Sequence, residues 1–481
     1  MSTKARVGRT TVSRVSNFPV STAHGTPAAE RKNNLGQMMG AKGSHTRRRL
    51  LDAVGTLLRD VPLRDLRVPQ VARLARTSSA TFYVYFRDVP EAVLALVKEV
   101  STGLPAALEP IAALPPEAWS YESARSFVQR FVGFWAPNLA LFRVRNLVSD
   151  EGDPRFRQVR VETVASTMDQ LSRRIGAAGA IPPNLHPTSV AGALLAMIER
   201  VSGIQANSSL AGILPAICDA AAFFLGLVTT PRGGRPADST GRVAFSAEDT
   251  GTLPAIGSVG LKMLGQAPES SKPASCGRGE KTKTRIIEAV GSFFRTHGVC
   301  EIKVTDIARH LGISNATFYL YFESVHDAAL ALLAERTQSA PRLLDLLNAP
   351  WDANAREVNA QLFVHDFVEQ WLADAALYRV RDLAADEGDI RFIRAKDNSL
   401  SVLRLALAER VAHCQARGGL PTDLQPLAVS AAFLEMLERL AITPNFNEEV
   451  TLATAGRAAA YFLTTIICGV SIPAPSDSVR V

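Results

Sequence analysis

Two octapeptides in this 481-residue chain set hydroxyls and phenols beside small residues at helical spacing. They are Ser79-Ala80-Thr81-Phe82-Tyr83-Val84-Tyr85-Phe86 and Asn315-Ala316-Thr317-Phe318-Tyr319-Leu320-Tyr321-Phe322. On a helix, Phe82 and Phe86 lie one turn apart and face a core, while residues 79, 80, 83 and 84 project elsewhere. A face kept narrow by small residues reaches the floor of a nucleic-acid groove, and phenol and threonine hydroxyls bond phosphates beside it. Other reactive groupings lead nowhere comparable. Asp150-Glu151-Gly152-Asp153 and Asp386-Glu387-Gly388-Asp389 gather carboxylates, but helix punctuation explains them: Gly152 ends one helix, Asp153 caps the next and Pro154 takes its first position. Residues 277–282 lack a phosphate loop's Gly-Lys-Ser/Thr, because Glu280 separates Gly279 from Lys281. The histidines form no HxxxH or HExxH, and no Ser or Cys sits in a nucleophile elbow. Cys218, Cys276, Cys300, Cys414 and Cys468 are odd in number and widely spaced, which disfavours a disulfide framework or a metal knuckle and suits a reducing cytoplasm. The expectation is therefore no catalytic residue, no metal, no cofactor and no enzyme.

The elements that hold the octapeptides come as a duplication. Residue n matches residue n+236 without a gap from Thr46 to at least Arg155, and 21 of 51 positions are identical between Thr46 and Leu96, enough to make this a tandem repeat. Met197, Glu199 and Arg200 then match Met436, Glu438 and Arg439 at a spacing of 239, so three residues are expected to have been gained in a loop between. Residues 231–281 hold 9 Gly, 5 Pro and 6 Ser without sustained periodicity and read as a flexible linker. Within each copy the pattern is helical: Leu50, Leu51, Val54, Leu57 and Leu58 share one helix face, as do Ile286, Ile287, Val290, Phe293 and Phe294. Helices are expected near 46–60, from Pro69 through Ala75, and from Ser79 to Phe86. Longer ones are expected near 117–136, 138–149, 154–178, 186–204 and 208–229. Three short helices with a tight break before the third are the layout of a helix-turn-helix. The breaks are Arg76-Thr77-Ser78 and Gly312-Ile313-Ser314; glycine suits a left-handed turn residue, so Arg76 implies mild strain or a slightly different turn.

These segments resemble the signature of TetR-type transcriptional regulators, Gly-x-Ser-x-Ala-Thr-[Leu/Phe]-Tyr-x-[His/Tyr]-Phe, and the match occurs twice. The resemblance covers both headpieces closely and both C-terminal helical regions more loosely. It implies an all-α chain of two tandem units, each a three-helix DNA-binding headpiece followed by a helical effector domain with a variable pocket. It also implies a four-helix dimer interface made by the last two helices. Most such proteins carry one unit per chain; this one carries two. The family pattern implies that Ser79, Ala80 and Tyr83, with Asn315, Ala316 and Tyr319 in the second copy, lie near bases. Thr81, Tyr85, Thr317 and Tyr321 then lie nearer phosphates, and Arg47 and Lys283 join the DNA-binding set. The structural alternative is that Tyr83 and Tyr319 only cap the headpiece core.

Charge fits a polyanion partner. The net charge of +7 is concentrated in residues 1–49, where ten Lys/Arg face Glu30 alone. An organellar transit peptide or a solvated tail has the same composition, whereas residues 1–25 lack the apolar core of a secretory signal. At 47% hydrophobic residues the chain has enough apolar content for packed cores, so disorder throughout is excluded. Residues 210–228 are apolar except for Asp219, but Gly212, Pro215 and that charge favour a buried interface helix over a membrane span. The row Phe127, Phe131, Phe134, Trp135, repeated as Phe363, Phe367, Trp371, reads first as core; the alternative is the wall of an effector pocket, formed by Phe127, Phe131, Trp135, Phe363, Phe367 and Trp371. Arg143, Arg145, Arg379 and Arg381 are expected to pair with nearby carboxylates on solvated helix faces, with binding of an anionic effector group as the alternative.

The resulting organisation is a basic arm (1–43), headpiece one (44–96), helical domain one (97–230), linker (231–280), headpiece two (281–332), helical domain two (333–470) and a tail (471–481). The expected partners are double-stranded operator DNA and a small-molecule effector, with no membrane. The two copies are expected to form an intramolecular pseudo-dimer or a homodimer.

Overall fold

The computed structural model describes residues 32–150, 152–204, 206, 208–230, 278–296, 302–337, 341–442 and 450–469. Most of the basic arm, the linker from 231 to 277 and the tail lie outside the described residues. Among the described residues the regular structure is helical, with one isolated antiparallel bridge between Lys32 and Met38 and no strand. Two compact units divide the chain, one ending at Gly103 and the other running from Leu104.

In the first unit, α1 (Ala41–Leu57) opens at the extended Gly40 and buries Leu50, Leu51, Ala53 and Val54. Helix α2 (Val68–Leu74) carries Pro69 in its first turn, where a missing N–H costs nothing, and Arg67 N donates to Gln70 Oε1 at 2.7 Å. Helix α3 (Ser79–Tyr85) follows after four residues, Ala75 to Ser78, one more than the expected break. Helix α4 (Val89–Ser101) was not expected from the sequence; Asp88 caps it by accepting from Glu91 N at 2.8 Å, and its buried Val89, Val93, Leu96 and Val97 close over α1.

The second unit starts with α5 (Gly103–Ala112), also unforeseen, followed by α6 (Tyr121–Trp135), α7 (Leu139–Asp150), α8 (Pro154–Ala178), α9 (Pro187–Val201) and α10 (Leu214–Thr229). The second copy supplies α11 (Arg278–Thr296), α12 (Val304–Leu311), α13 (Asn315–Tyr319) and α14 (Val325–Thr337). It continues with α15 (Pro341–Asn348), α16 (Arg356–Ala373), α17 (Ala375–Asp386), α18 (Ile390–Ser399), α19 (Ser401–Ala416), α20 (Pro426–Ile442) and α21 (Leu452–Cys468). The acidic turns are helix punctuation, as expected. Gly152 and Gly388 have φ of 103° and 90°, and Asp153 and Asp389 cap the next helix by accepting from Arg155 N and Arg391 N at 2.8 and 2.9 Å.

The structure relocates the three-residue gain. Helix α8 begins at Pro154 and its copy-two counterpart at Ile390, 236 residues on, yet the left-handed glycines that follow, Gly179 and Gly418, are 239 apart. The extra residues therefore lie within the helical stretch and not in a loop. Where α8 is one helix of 25 residues, the second copy breaks at Leu400 (φ −112°, ψ 0°) into α18 and α19. Three residues are less than one turn of 3.6, so inserting them rotates everything downstream, and a break lets both halves keep their apolar faces inward.

The last helices of the two copies pack on one another: α9 on α20 and α21, and α10 on α20. Phe224 meets Phe462 edge to face at 5.3 Å. With its short 3-10 lead, α10 is long and apolar enough to cross a membrane by length and composition alone. It instead packs against α6, α8, α9 and α20, and its one acid, Asp219, accepts from Arg125 Nε at 2.7 Å.

Candidate functional site

The octapeptides form α3 and α13. Ser78 caps α3 by accepting from Thr81 N at 3.1 Å, and Ser314 caps α13 by accepting from Thr317 N at 3.0 Å. The threonine hydroxyls lie 2.9 Å from the same serines, so Thr81 and Thr317 first hold the helix entrance. Phe82 and Phe318 are fully buried and Phe86 and Phe322 nearly so, with ring centroids 5.6 and 6.0 Å apart along the two helices. That anchor turns the other face outward: Ala80, Ala316 and Asn315 are exposed, and Ser79 is partly so. Tyr83 and Tyr319 touch the edges of Phe82 and Phe318, yet remain 51% and 50% exposed, too open for side chains whose only task is to cap a core. Tyr85 and Tyr321 are half-buried. Arg47 lays its guanidinium 5.5 Å from the Phe86 ring centroid, and Lys283 is half-buried on α11. The DNA-binding candidates of copy one thus gather around α3, whereas in copy two those of the octapeptide lie along α13 and its end and Lys283 stands apart on α11.

The headpieces differ in detail. Helix α13 is two residues shorter than α3, and Leu320 is 67% exposed where Val84 is half-buried. Copy one adds a contact that sequence reasoning missed: Asn34 N donates to Val84 O at 2.8 Å and Asn34 Nδ2 to Tyr83 O at 3.4 Å. The chain entering α1 is thereby tied to the end of α3. In both copies an arginine on the first helix fastens the turn, Arg49 donating to the carbonyls of Ala75 and Arg76, and Arg285 to that of Leu311 at 3.1 Å.

In the second unit, Phe127, Phe131, Trp135, Phe363 and Phe367 are almost wholly buried, and Trp371 is 6% exposed. They stack in parallel fashion in the two copies: Phe131 on Trp135 at 4.8 Å and Trp135 on Phe142 at 4.2 Å, against Phe367 on Trp371 at 4.9 Å and Trp371 on Tyr378 at 4.1 Å. Of the six proposed pocket residues, Trp135 lines the cavity of about 110 Å3 found between α7 and α9 of copy one and α17 to α20 of copy two. Phe131, Phe367 and Trp371 belong to the aromatic stacks, Phe127 lies tilted against Trp119, and Phe363 is buried.

The arginine expectation needs correction. Arg145 and Arg381 do pair with carboxylates, but in the interior and not on solvated faces, for both are fully buried. Their guanidinium carbons sit 4.9 and 4.8 Å from the rings of Phe142 and Tyr378. Arg145 Nη2 donates to Glu199 Oε1, and Arg381 Nη2 to Glu438 Oε1 at 2.9 Å. Each carboxylate then accepts an arginine from the opposite copy: Arg439 Nε at 3.2 Å for Glu199, and Arg200 Nη2 for Glu438. A charge this deep is tolerated only when paired, so each buried ion pair is completed across the seam between the copies.

One substitution breaks the symmetry of this network. Copy one has Asn146 where copy two has Asp382. Burial pushes the Arg145 guanidinium down to about 10, beyond what Glu199 restores. Burial acts on Arg381 likewise, but Asp382 and Glu438 together outweigh it and its pKa rises. Burial alone would raise Glu199; Arg439, Arg145 and Arg160 hold it at about 2.

The profile described as Tetracyclin repressor-like, C-terminal domain, matches the chain twice, over residues 117–222 and 343–460. Both helical domains are thus of the TetR C-terminal type. No curated protein matches the chain significantly. The seam between the two halves is where α9, α10, α20 and α21 meet. Sequence reasoning had used Glu199, Arg200, Glu438 and Arg439 only as markers of register. The available signal was a Glu-Arg pair set in apolar helices in both copies, which only a partner at equal depth accommodates. Among the described residues no cluster of His, Cys, Asp and Glu is arranged to hold a metal ion.

Proposed function

We propose that this chain is a ligand-responsive transcription regulator of the TetR type, acting as a repressor, that reads operator DNA through two non-identical headpieces on one chain. The observation that carries the reading is the open Ala-Tyr face of each octapeptide, with Tyr83 and Tyr319 half exposed over buried Phe82 and Phe318. Ser79, Ala80, Tyr83, Asn315, Ala316 and Tyr319 approach bases, while Thr81, Tyr85, Thr317, Tyr321, Arg47 and Lys283 serve phosphates. The domain boundaries proposed are those of the sequence reading, moved outward at the headpieces because α1 and α11 begin before 44 and 281 and α4 and α14 run past 96 and 332, and the setting is the cytoplasm. The ligand acts by population shift: it favours a headpiece spacing that mismatches successive major grooves, about 34–36 Å apart. No reaction is part of this function.

Asn315 stands where copy one has Ser79, and asparagine bonds adenine through two contacts whereas serine discriminates weakly. Binding-site selection with the full chain should return two unlike half-sites. Asn315→Ser should relax preference at one of them by about 1–3 kcal/mol and leave the other unchanged. A symmetric palindrome indifferent to that substitution would sink the two-reader arrangement. Absence of any gel shift would favour a helical adaptor that binds proteins through its apolar helices.

A further inference from the structure

The cavity between the copies has walls of uneven character. Trp135, Ile204, Leu210 and Ile442 contribute apolar surface, and guanidinium groups contribute donors that no protein atom uses. Arg439 Nη2 and Arg404 Nε are buried without a hydrogen-bond partner among the protein atoms, on side chains 3% and 7% exposed, whereas Arg143 Nε lies 3.5 Å from Asp386 Oδ1. Arg379, the copy-two counterpart of Arg143, lines the same cavity with no ion-pair partner among the described residues. The position its symmetry mate would lead it to, Asp150, is taken by Arg160 at 2.8 Å and Arg439 at 3.5 Å. The wall and the ion pairs directly behind it hold nine cationic side chains against seven carboxylates, which leaves a positive excess.

We propose that this cavity is a binding site for one small organic carboxylate per chain, with the carboxylate accepting from Arg379, Arg439 and Arg404 and its hydrocarbon part lying against Trp135 and Ile204. Unpaired buried donors cost the most when left unsatisfied, and a planar carboxylate satisfies guanidinium groups two bonds at a time. Size sets a limit: a cavity of about 150 Å3 takes the six carbons of benzene, so 110 Å3 admits about four or five non-hydrogen atoms, a two- or three-carbon carboxylate. The walls come from both copies, so such a ligand binds only while the copies are packed. This deepens the ligand-responsive part of the function proposed above and rests on it for its consequence, though the binding itself is independent of DNA.

Trp135 gives the test a local signal. Propanoate, propanamide and propylamine, equal in length and different in charge, are titrated into the full chain and followed by tryptophan fluorescence, with Trp135→Phe identifying the signal. Propanoate should saturate in the millimolar range or below, and the amide and amine should not. Arg379→Gln should weaken propanoate by about tenfold or more, as expected for a charge-assisted hydrogen bond. Asn146→Asp, which copies Asp382 into the opposite wall and gives Arg145 a second counter-ion, should weaken it without loss of folding. Lack of saturation, equal binding of the amine, or parent-like affinity in both variants would overturn the proposal. A gel shift without any carboxylate separates this outcome from failure of the operator reading: a chain that shifts DNA yet ignores propanoate refutes the site alone.

Discussion

Arg76 holds a left-handed backbone at φ 51°, the position at which copy two has Gly312 at φ 65°. A side chain there costs about 1–3 kcal/mol of strain, while glycine returns about 0.4–1 kcal/mol through the unfolded chain. Arg76→Gly should therefore raise the stability of headpiece one by about 0.5–1 kcal/mol in urea denaturation, since the Arg76 side chain is exposed and Arg49 holds the turn through carbonyls that glycine keeps. A lower midpoint would show that the Arg76 side chain contributes more than its backbone costs. This strain was legible in the sequence, because the repeat printed the preferred residue beside the unusual one. The octapeptide faces were legible for a similar reason, since burial of Phe82 and Phe318 at a one-turn spacing decides what is left outside. The depth of Arg145 and Arg381 was not legible. Their carboxylates stand 54 and 57 residues away on another helix, and no periodicity within α7 or α17 connects the two.

Elements with one strong apolar face were readable nearly to their ends: α8 was expected at 154–178 and occupies Pro154–Ala178. Helices α4 and α5 escaped although their signals were present: Asp88, Pro90 and Glu91 mark the start of α4, and Ser101-Thr102-Gly103 marks the join to α5. The break at Leu400 escaped because it is a response to a shift in register and carries no Gly or Pro of its own. Contact between helices of the two copies was equally outside local pattern, and α9 supplies a direct test of it. A Cβ on Gly192 would stand 2.7 Å from Val450 Cγ1, closer than packed carbons approach. Gly192→Val should then destabilise the second unit by about 1–3 kcal/mol, through overpacking at the seam and not through the helix, whose interior valine tolerates well. A variant as stable as the parent would mean that the copies do not meet there in solution. The arm offers a second element-level test. Residues 1–31 contain five Lys/Arg against Glu30, and the contact of Asn34 with Val84 follows them, so removing 1–31 spares the fold of α1 and α3. The log-log salt slope of DNA binding should fall by up to about 0.9 for each phosphate given up, with half-site preference intact. An unchanged slope would make the arm a bystander.

At the scale of the whole molecule, the duplication lets one chain complete its own buried charges. Glu199 needs Arg439 and Glu438 needs Arg200, so neither copy alone satisfies the arginines it buries. Light scattering at micromolar concentration should accordingly give a mass near 51.7 kDa, and a stable two-chain species would assign the pairing to separate chains. The same network sets the response to acid. Glu199 is held at about 2, below its ordinary 4.5, and Glu438 is also lowered despite burial. A carboxyl depressed in the folded state contributes stability above its unfolded value and loses it as the pH falls through the folded one, so this contribution is complete above about pH 5 and fades between about 4.5 and 2. Asp386 and Glu435 act in the opposite sense, because burial raises them and acid relieves that cost, which delays the loss at its upper edge. Glu199→Gln should strand Arg145 and leave Arg439 with Asp150 alone, at a cost of about 3–5 kcal/mol at neutral pH. Urea titrations of that variant should also show a shallower fall in stability below pH 4.5 than the parent, because the group that took up the proton is gone. Parent-like stability at pH 7 together with a parent-like acid slope would show that the seam is held by its apolar helices alone, with the crossed arginines contributing nothing to it.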